Sequence, residues 1–380
     1  MTNTEIAIID LIRSSLFGQS VTFADDVDWD EVLAEAQAQT IVALVHNAVP
    51  KEKKAAWKLS AMQSTAHFLR ALYEQTEIVS ILKDAKIPFV IIKGTSAAIY
   101  YPNPSTRTMG DVDILVTEEH FDKAFSLLQD NGYIFQQDYG NKRDYSFTKG
   151  NVIFELHRKY SDDSHDIERF LKDGIQDPET LSLFGNSFPA LPKAENGLII
   201  LDHIRHHIYG GLGIRQIIDF MMFVNSEPDD VKFEKEILPL FEKAGLKTLA
   251  QVIIKTCKKY FHLPVNAAWC ETADDKTCDE LLATVFASGN FGRKNPYVYR
   301  PMQTLTMTVK KQGFFRTLQN AGVENCAAFK KHKFLRPFAW LYQLFRYFKR
   351  GIVRLFKREK LLADISSGKE KNDFYKRLGI

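Results

Sequence analysis

Three acidic side chains stand where a strand would ordinarily be apolar. Asp111 and Asp113 flank Val112 in the stretch Asp-Val-Asp-Ile-Leu-Val, and Glu155 interrupts Val-Ile-Phe-Glu-Leu-His at 152–157. Successive side chains of a strand point to opposite faces, so Asp111 and Asp113 project together while Val112 and Ile114 project into an apolar layer. Two carboxylates about 6 Å apart at an effective dielectric near 20 repel by roughly 3 kcal/mol. A divalent cation is the simplest compensator. On the second strand Ile153, Glu155 and His157 share one face; if it lies beside the first, Asp111, Asp113 and Glu155 converge. That set of oxygen ligands suits one Mg²⁺ or a pair of them, with Mn²⁺ as the substitute and zinc disfavoured.

The elements that must hold these residues follow from pattern. An apolar run at 89–92 predicts a buried strand, Gly94 turns the chain, and 96–101 predict a short helix stopped by Pro102 and Pro104. After the aspartate strand, 118–131 predict an amphipathic helix, capped by Thr117 and closed by Gly132. Strands are predicted at 133–137, 143–148 and 152–158, the last two joined by a Lys149-Gly150-Asn151 turn. Helical periodicity precedes the core at 3–16, 29–45 and 52–86, where Trp57, Leu59, Phe68, Leu69, Leu72, Ile78 and Leu82 form the expected inward stripe. The fold class is α+β: a small mixed sheet flanked by N-terminal helices and a C-terminal helical domain. We divide the chain into a helical brace at 1–86, a catalytic core at 87–160, a helical domain at 161–292 and a basic helical tail at 293–380.

Composition excludes several classes. A chain of 380 residues with 45% hydrophobic and 26% charged content is ordinary globular material, neither disordered nor a coiled coil. There is no run of about 18 apolar residues and no basic leader, which points to the cytoplasm. Cys257, Cys270, Cys278 and Cys326 lack CxxC spacing, so they read as reduced thiols. The net charge of +3 hides an asymmetry: residues 293–360 carry seventeen Lys and Arg against two acids. Within it, 335–360 form a basic amphipathic segment with Trp340, Leu341, Leu344, Phe345, Phe348, Ile352, Leu355 and Phe356 near one face. Such a segment is a core helix with a solvated basic face, a peripheral docking helix for the inner membrane face, or a nucleic-acid contact.

In this order, Lys93-Gly94-Thr95-Ser96, Arg107, Asp111-Val112-Asp113-Ile114-Leu115-Val116 and Glu155-Leu156-His157 resemble the DNA polymerase β-type nucleotidyltransferase superfamily. Within it they are similar to an uncharacterised bacterial nucleotidyltransferase family, over about residues 87–158. The resemblance implies transfer of a nucleoside monophosphate from an NTP, ATP among them, to an acceptor hydroxyl, with pyrophosphate leaving and two Mg²⁺ assisting. It implies that Asp111 and Asp113 bind both ions and Glu155 the one that activates the acceptor. The amides around Gly94 and Thr95, with the Thr95 or Ser96 hydroxyl, would cradle phosphates, and Lys93 and Arg107 would neutralise triphosphate charge. The turn departs from the superfamily's usual Gly-Gly or Gly-Ser.

The acceptor is open: a small molecule or a sugar, including one in a membrane-associated surface-polysaccharide pathway. A toxin or regulator modifying RNA or protein shares the chemistry, and a non-catalytic nucleotide-binding scaffold is the rival from another class. His157 reads as a phosphate or acceptor contact or as a hydrogen-bonded strand histidine. His203, His206 and His207 lie on a predicted helix, where no H-E-x-x-H pattern supports a metal role and a pocket wall fits better. Arg215 and Asp219, four residues apart, are expected to pair with each other.

Overall fold

The computed structural model describes residues 1–136, 144–160, 167–294, 313–326, 328–329, 332–346 and 371–380. The chain divides into two compact units, Met1–Lys294 with Leu378–Ile380, and Asn295–Arg377. In the first unit, helix α1 (Asn3–Phe17) starts at a capping box in which Thr2 accepts from the Glu5 amide and Glu5 accepts from the Thr2 amide. Helices α2 (Trp29–Ala38) and α3 (Val42–Val45) follow, then the 31-residue helix α4 (Lys54–Asp84).

The site rests on a five-stranded mixed sheet of order β1-β2-β5-β4-β3. Its strands are β1 (Phe89–Ile92), β2 (Val112–Val116), β3 (Ile134–Phe135), β4 (Asp144–Lys149) and β5 (Val152–His157). Between β1 and β2 lies the five-residue helix α5 (Gly94–Ala98), and α6 (Phe121–Asp130) follows β2. Strands β1 and β2 are antiparallel, β2 and β5 parallel, and β5 and β4 an antiparallel hairpin turned at Gly150, whose φ is +56°.

One face of this sheet is core. Val112, Ile114, Val116, Phe154 and Leu156 pack with Phe68, Leu72, Ile78 and Leu82 of α4 and with Phe121, Ala124 and Leu128 of α6. Leu59 and Leu69, expected in the inward stripe of α4, are 67% and 46% exposed. At 100° per residue Leu59 lies 200° from buried Trp57, so one helix cannot bury both against one layer. The helix predicted at 118–131 begins with a 3₁₀ turn (Glu118–His120), and the Thr117 hydroxyl contacts His120 Nδ1 at 2.7 Å instead of capping it.

The region expected to be a helical domain also contains a hairpin. After the one-turn helix α7 (Lys172–Gln176), β6 (Glu179–Leu183) and β7 (Asn186–Ala190) pair across Phe184 and Gly185, both with positive φ. Leu183, Phe188 and Ala190 join the core of the main sheet. Helices α8 (Lys193–Ile208) and α9 (Ile214–Asn225) come next, then helices at Leu238–Lys243, Lys247–Phe261 and Asp275–Ser288. Gly197 is a close-approach point: a Cβ there would lie 2.2 Å from the Phe223 ring of α9.

In the second unit a helix at Phe314–Glu324 lies against the 3₁₀ helix Lys333–Phe338 and the residues after it. Phe315 and Trp340 meet edge to face at 5.7 Å, and the Gln319 side chain caps the Trp340 amide. Of the segment predicted at 335–360, residues 347–360 lie outside the described residues. Among the described residues no helix is long and apolar enough to cross a membrane.

Candidate active site

The register of β2 and β5 decides what the acidic residues can do. Asp113 is directly opposite Glu155 across the parallel pair, and Asp144 of β4 is opposite His157 on the other side of β5. All these side chains rise from the face of the sheet turned away from the core. They line a cavity of about 420 Å³ together with Asp111, Lys93 and Gly94. The opposite wall is built by α8 and α9, which contribute His203, His206, His207 and Arg215; Tyr160 and Phe291 also line the cavity.

Asp113 is the hub. One carboxylate oxygen accepts from Lys93 Nζ at 2.7 Å and lies 2.9 Å from His157 Nε2. The same imidazole nitrogen is 3.6 Å from Glu155, and Nδ1 is 3.9 Å from Asp144. Donor atoms of Asp113, Glu155 and His157 all lie within 4.8 Å of one another, and Asp111 lines the same cavity two residues earlier on the same side of the chain.

The charges respond to this crowding. Burial would raise the Asp113 carboxyl, but Lys93 and His157 together hold it below the usual carboxylate range. Glu155 is pushed up to about 8, first by burial and then by Asp113 and Asp111. Asp111 is raised by burial and by Asp113. Burial also works against the Lys93 ammonium, yet Asp113, Asp111 and Glu155 outweigh it and keep that pKa above the ordinary lysine value. Around Lys93 the carboxyls of Asp111, Asp113 and Glu155 outnumber the one ammonium they share. An oxygen-rich donor set with one imidazole fits Mg²⁺ or Mn²⁺.

Lys93 reaches Asp113 from a strained turn, with φ +55° at a non-glycine residue. The residues after it face inward. The Thr95 hydroxyl donates to Gln75 Oε1 at 2.7 Å, and the Ser96 hydroxyl donates to the Lys93 carbonyl at 2.8 Å and contacts Asn196 at 3.3 Å. Both residues are fully buried, so in this arrangement the turn offers the cavity its backbone at Gly94 and not these hydroxyls.

Arg107 lines the cavity but is held from behind. Its Nε and Nη2 donate to the two oxygens of Asp219 at 2.7 and 2.8 Å, and the Tyr101 hydroxyl donates to the same carboxylate at 2.7 Å. The expected Arg215–Asp219 pair is therefore replaced. Arg215 donates from Nη1 to the Thr108 carbonyl at 2.8 Å, and its Nε has no hydrogen-bond partner among the described residues. His203 and His207 stack edge to face at 4.3 Å. Burial first, then His207 in the case of His203 and Lys93 in the case of His207, push both below the ordinary imidazole value, with His207 lowered to about 3. They are walls of the pocket.

Asp144, Tyr160, Arg215 and Phe291 are cavity residues that sequence reasoning missed. For Asp144 a signal existed: Asp144 and Ser146 alternate with Tyr145 and Phe147, so the acid sits on the polar side of its strand.

A family model described as an uncharacterised nucleotidyltransferase matches residues 25–262. None of the curated proteins matches the chain. Among solved structures, ANT(2")-Ia in complex with adenylyl-2"-tobramycin is similar at 12% identity and a TM-score of 0.33, over 45% of this chain and 97% of that one. An antigenic nucleotidyltransferase-like protein from Paracoccidioides brasiliensis is similar at 15% identity and a TM-score of 0.33, over 52% of this chain and 94% of its own.

Proposed function

Because this chain belongs to the uncharacterised nucleotidyltransferase family, we propose that its cavity transfers a nucleoside monophosphate from an NTP to an acceptor hydroxyl with Mg²⁺. The observation that carries the reading is the β2–β5 register, which sets Asp113 against Glu155 beside Asp111 over a cavity that also holds Lys93. A new bond forms between the acceptor oxygen and the α-phosphorus, the bond from that phosphorus to the bridging oxygen breaks, and pyrophosphate leaves with the electron pair.

Asp111, Asp113 and Glu155 are the groups that would hold divalent cations, with His157 beside them. Bound there, such cations would supply charge neutralisation and acidify the acceptor hydroxyl. Lys93 sits 2.7 Å from Asp113 and is placed to donate to a phosphate oxygen once the carboxylate has another cation. Glu155, opposite Asp113 on the neighbouring strand, would hold the cation that activates the acceptor hydroxyl. Gly94 lets the backbone approach the phosphates without a side chain.

For the acceptor we favour a small molecule or sugar met by a cytoplasmic enzyme at the inner membrane face. Its support is that Phe334, Phe338, Leu341 and Phe345, all more than 40% exposed, run beside Arg336 and Arg346. The activity is tested by incubating each α-³²P-labelled NTP with Mg²⁺ or Mn²⁺ and candidate acceptors, alongside Asp111→Ala and Asp113→Ala. Label transfer and pyrophosphate release that need both aspartates support transfer; release that ignores them rejects it.

A further inference from the structure

We propose that Arg215 anchors a polyphosphate subsite in this cavity, gripping the β- and γ-phosphates of the donor in the place that the sequence pattern gives to Arg107. The inference deepens the nucleotidyl-transfer reading and rests on it. Two guanidinium groups reach the cavity, and among the described residues only Arg107 has a hydrogen-bonded carboxylate partner. Arg107 fills both oxygens of Asp219 in a bidentate pair, and Tyr101 adds a third donor to that carboxylate. Arg215 lies one helical turn before Asp219 on α9 and, by local spacing, should have been its partner.

Arg215 is left with a neutral acceptor. It is 8% exposed, one Nη donates to the Thr108 carbonyl, and Nε is buried without a hydrogen-bond partner among the described residues. Burial, and then the neighbouring Arg107, press its pKa below the ordinary arginine value. A buried guanidinium with an unfilled donor is costly, and a ligand that completes its hydrogen bonds recovers that cost. The planar fork matches a phosphate oxygen pair better than a lone ammonium would.

The rest of the wall agrees with an oxyanion. His203, His207 and Arg215 line one side of the cavity with no carboxylate among them, while Asp113 of β2 is bonded to Lys93 on the sheet side. Cations would collect at the carboxylates and the phosphate tail at Arg215. An acceptor carrying a phosphate or carboxylate would satisfy the same fork, so the test omits the acceptor.

Isothermal titration of the full chain with ATP, AMP and inorganic tripolyphosphate, each with Mg²⁺, would compare wild type, Arg215→Gln and Arg215→Lys. Arg215→Gln should weaken ATP and tripolyphosphate by about tenfold or more and AMP by less than about twofold. Arg215→Lys should recover part of the loss. The ligand-free melting temperature of Arg215→Gln should equal or exceed that of wild type, because burial and the neighbouring Arg107 outweigh the pull of Asp219 and Asp111 on that cation. Unchanged tripolyphosphate affinity in Arg215→Gln, or equal losses for ATP and AMP, would overturn the subsite and leave the transfer reading standing. Tripolyphosphate binding that needs Arg215, with pyrophosphate release unaffected by Asp113→Asn, would uphold the subsite and sink transfer. Wild type that binds neither ATP nor tripolyphosphate rejects both.

Discussion

At the scale of single residues, the two aspartates have different jobs in the fold. Asp113 holds the half-buried Lys93 ammonium and meets His157, whereas Asp111 is a carboxyl raised by burial and by its neighbour. Asp113→Asn removes the carboxylate bonded to Lys93 and His157 while Asp111 and Glu155 remain, and should destabilise by about 1–3 kcal/mol. Asp111→Asn removes a repulsion and should leave the melting temperature level or higher; calorimetry of both variants without metal checks the contrast. The pH dependence has a definite sign at Glu155, whose pKa rises from 4.5 to about 8 on folding. The folded chain keeps a proton there that the unfolded chain releases, so this contribution is complete below pH 4.5 and is lost as pH rises through about 8. Asp113 acts oppositely: its contribution is present above the ordinary carboxyl range and lost in acid. Melting temperatures of wild type and Glu155→Gln between pH 5 and 9 should diverge, with only wild type paying the alkaline loss. Added Mg²⁺ should restore wild type most at pH 9, where Glu155 is ionised.

At the scale of elements, the close approach of α8 and α9 sets the wall that carries His203, His207 and Arg215. Gly197→Ala would drive a methyl into the Phe223 ring and should cost about 1–3 kcal/mol, read by urea denaturation. The turn before α5 makes a second prediction. Thr95→Val should lose about 1–3 kcal/mol of stability by orphaning Gln75, while nucleotide affinity stays within about twofold, because the hydroxyl faces the interior. A large affinity loss at unchanged stability would restore the hydroxyl to the phosphate site. Strands β2 and β5 were legible in the sequence because period-two alternation puts acids on one face and Val112, Ile114, Phe154 and Leu156 on the other. Their parallel pairing was legible only as a condition, since no local pattern states which strands are neighbours. Arg107 and Asp219 are 112 residues apart, and the local four-residue rule pointed instead to Arg215. The β6–β7 hairpin was missed where Glu179–Leu183 alternates only weakly and Pro189 interrupts the second strand.

At the scale of the whole molecule, the cavity residues from Lys93 to Phe291 all belong to the unit Met1–Lys294, while most of the excess basic charge lies beyond it. If the basic segment meets a membrane surface, the full chain should float with anionic vesicles, fail with neutral ones, and lose binding when residues 335–380 are removed. Binding to RNA with no vesicle binding would assign that charge to nucleic acid instead. The central claim concerns the carboxylates, and pyrophosphate release from α-³²P-NTP with Mg²⁺ tests it most directly. Release and label transfer by wild type should fall by about 10³-fold or more in Asp113→Asn and strongly in Glu155→Gln. Undiminished release from both variants would contradict a metal-assisted transfer at this site.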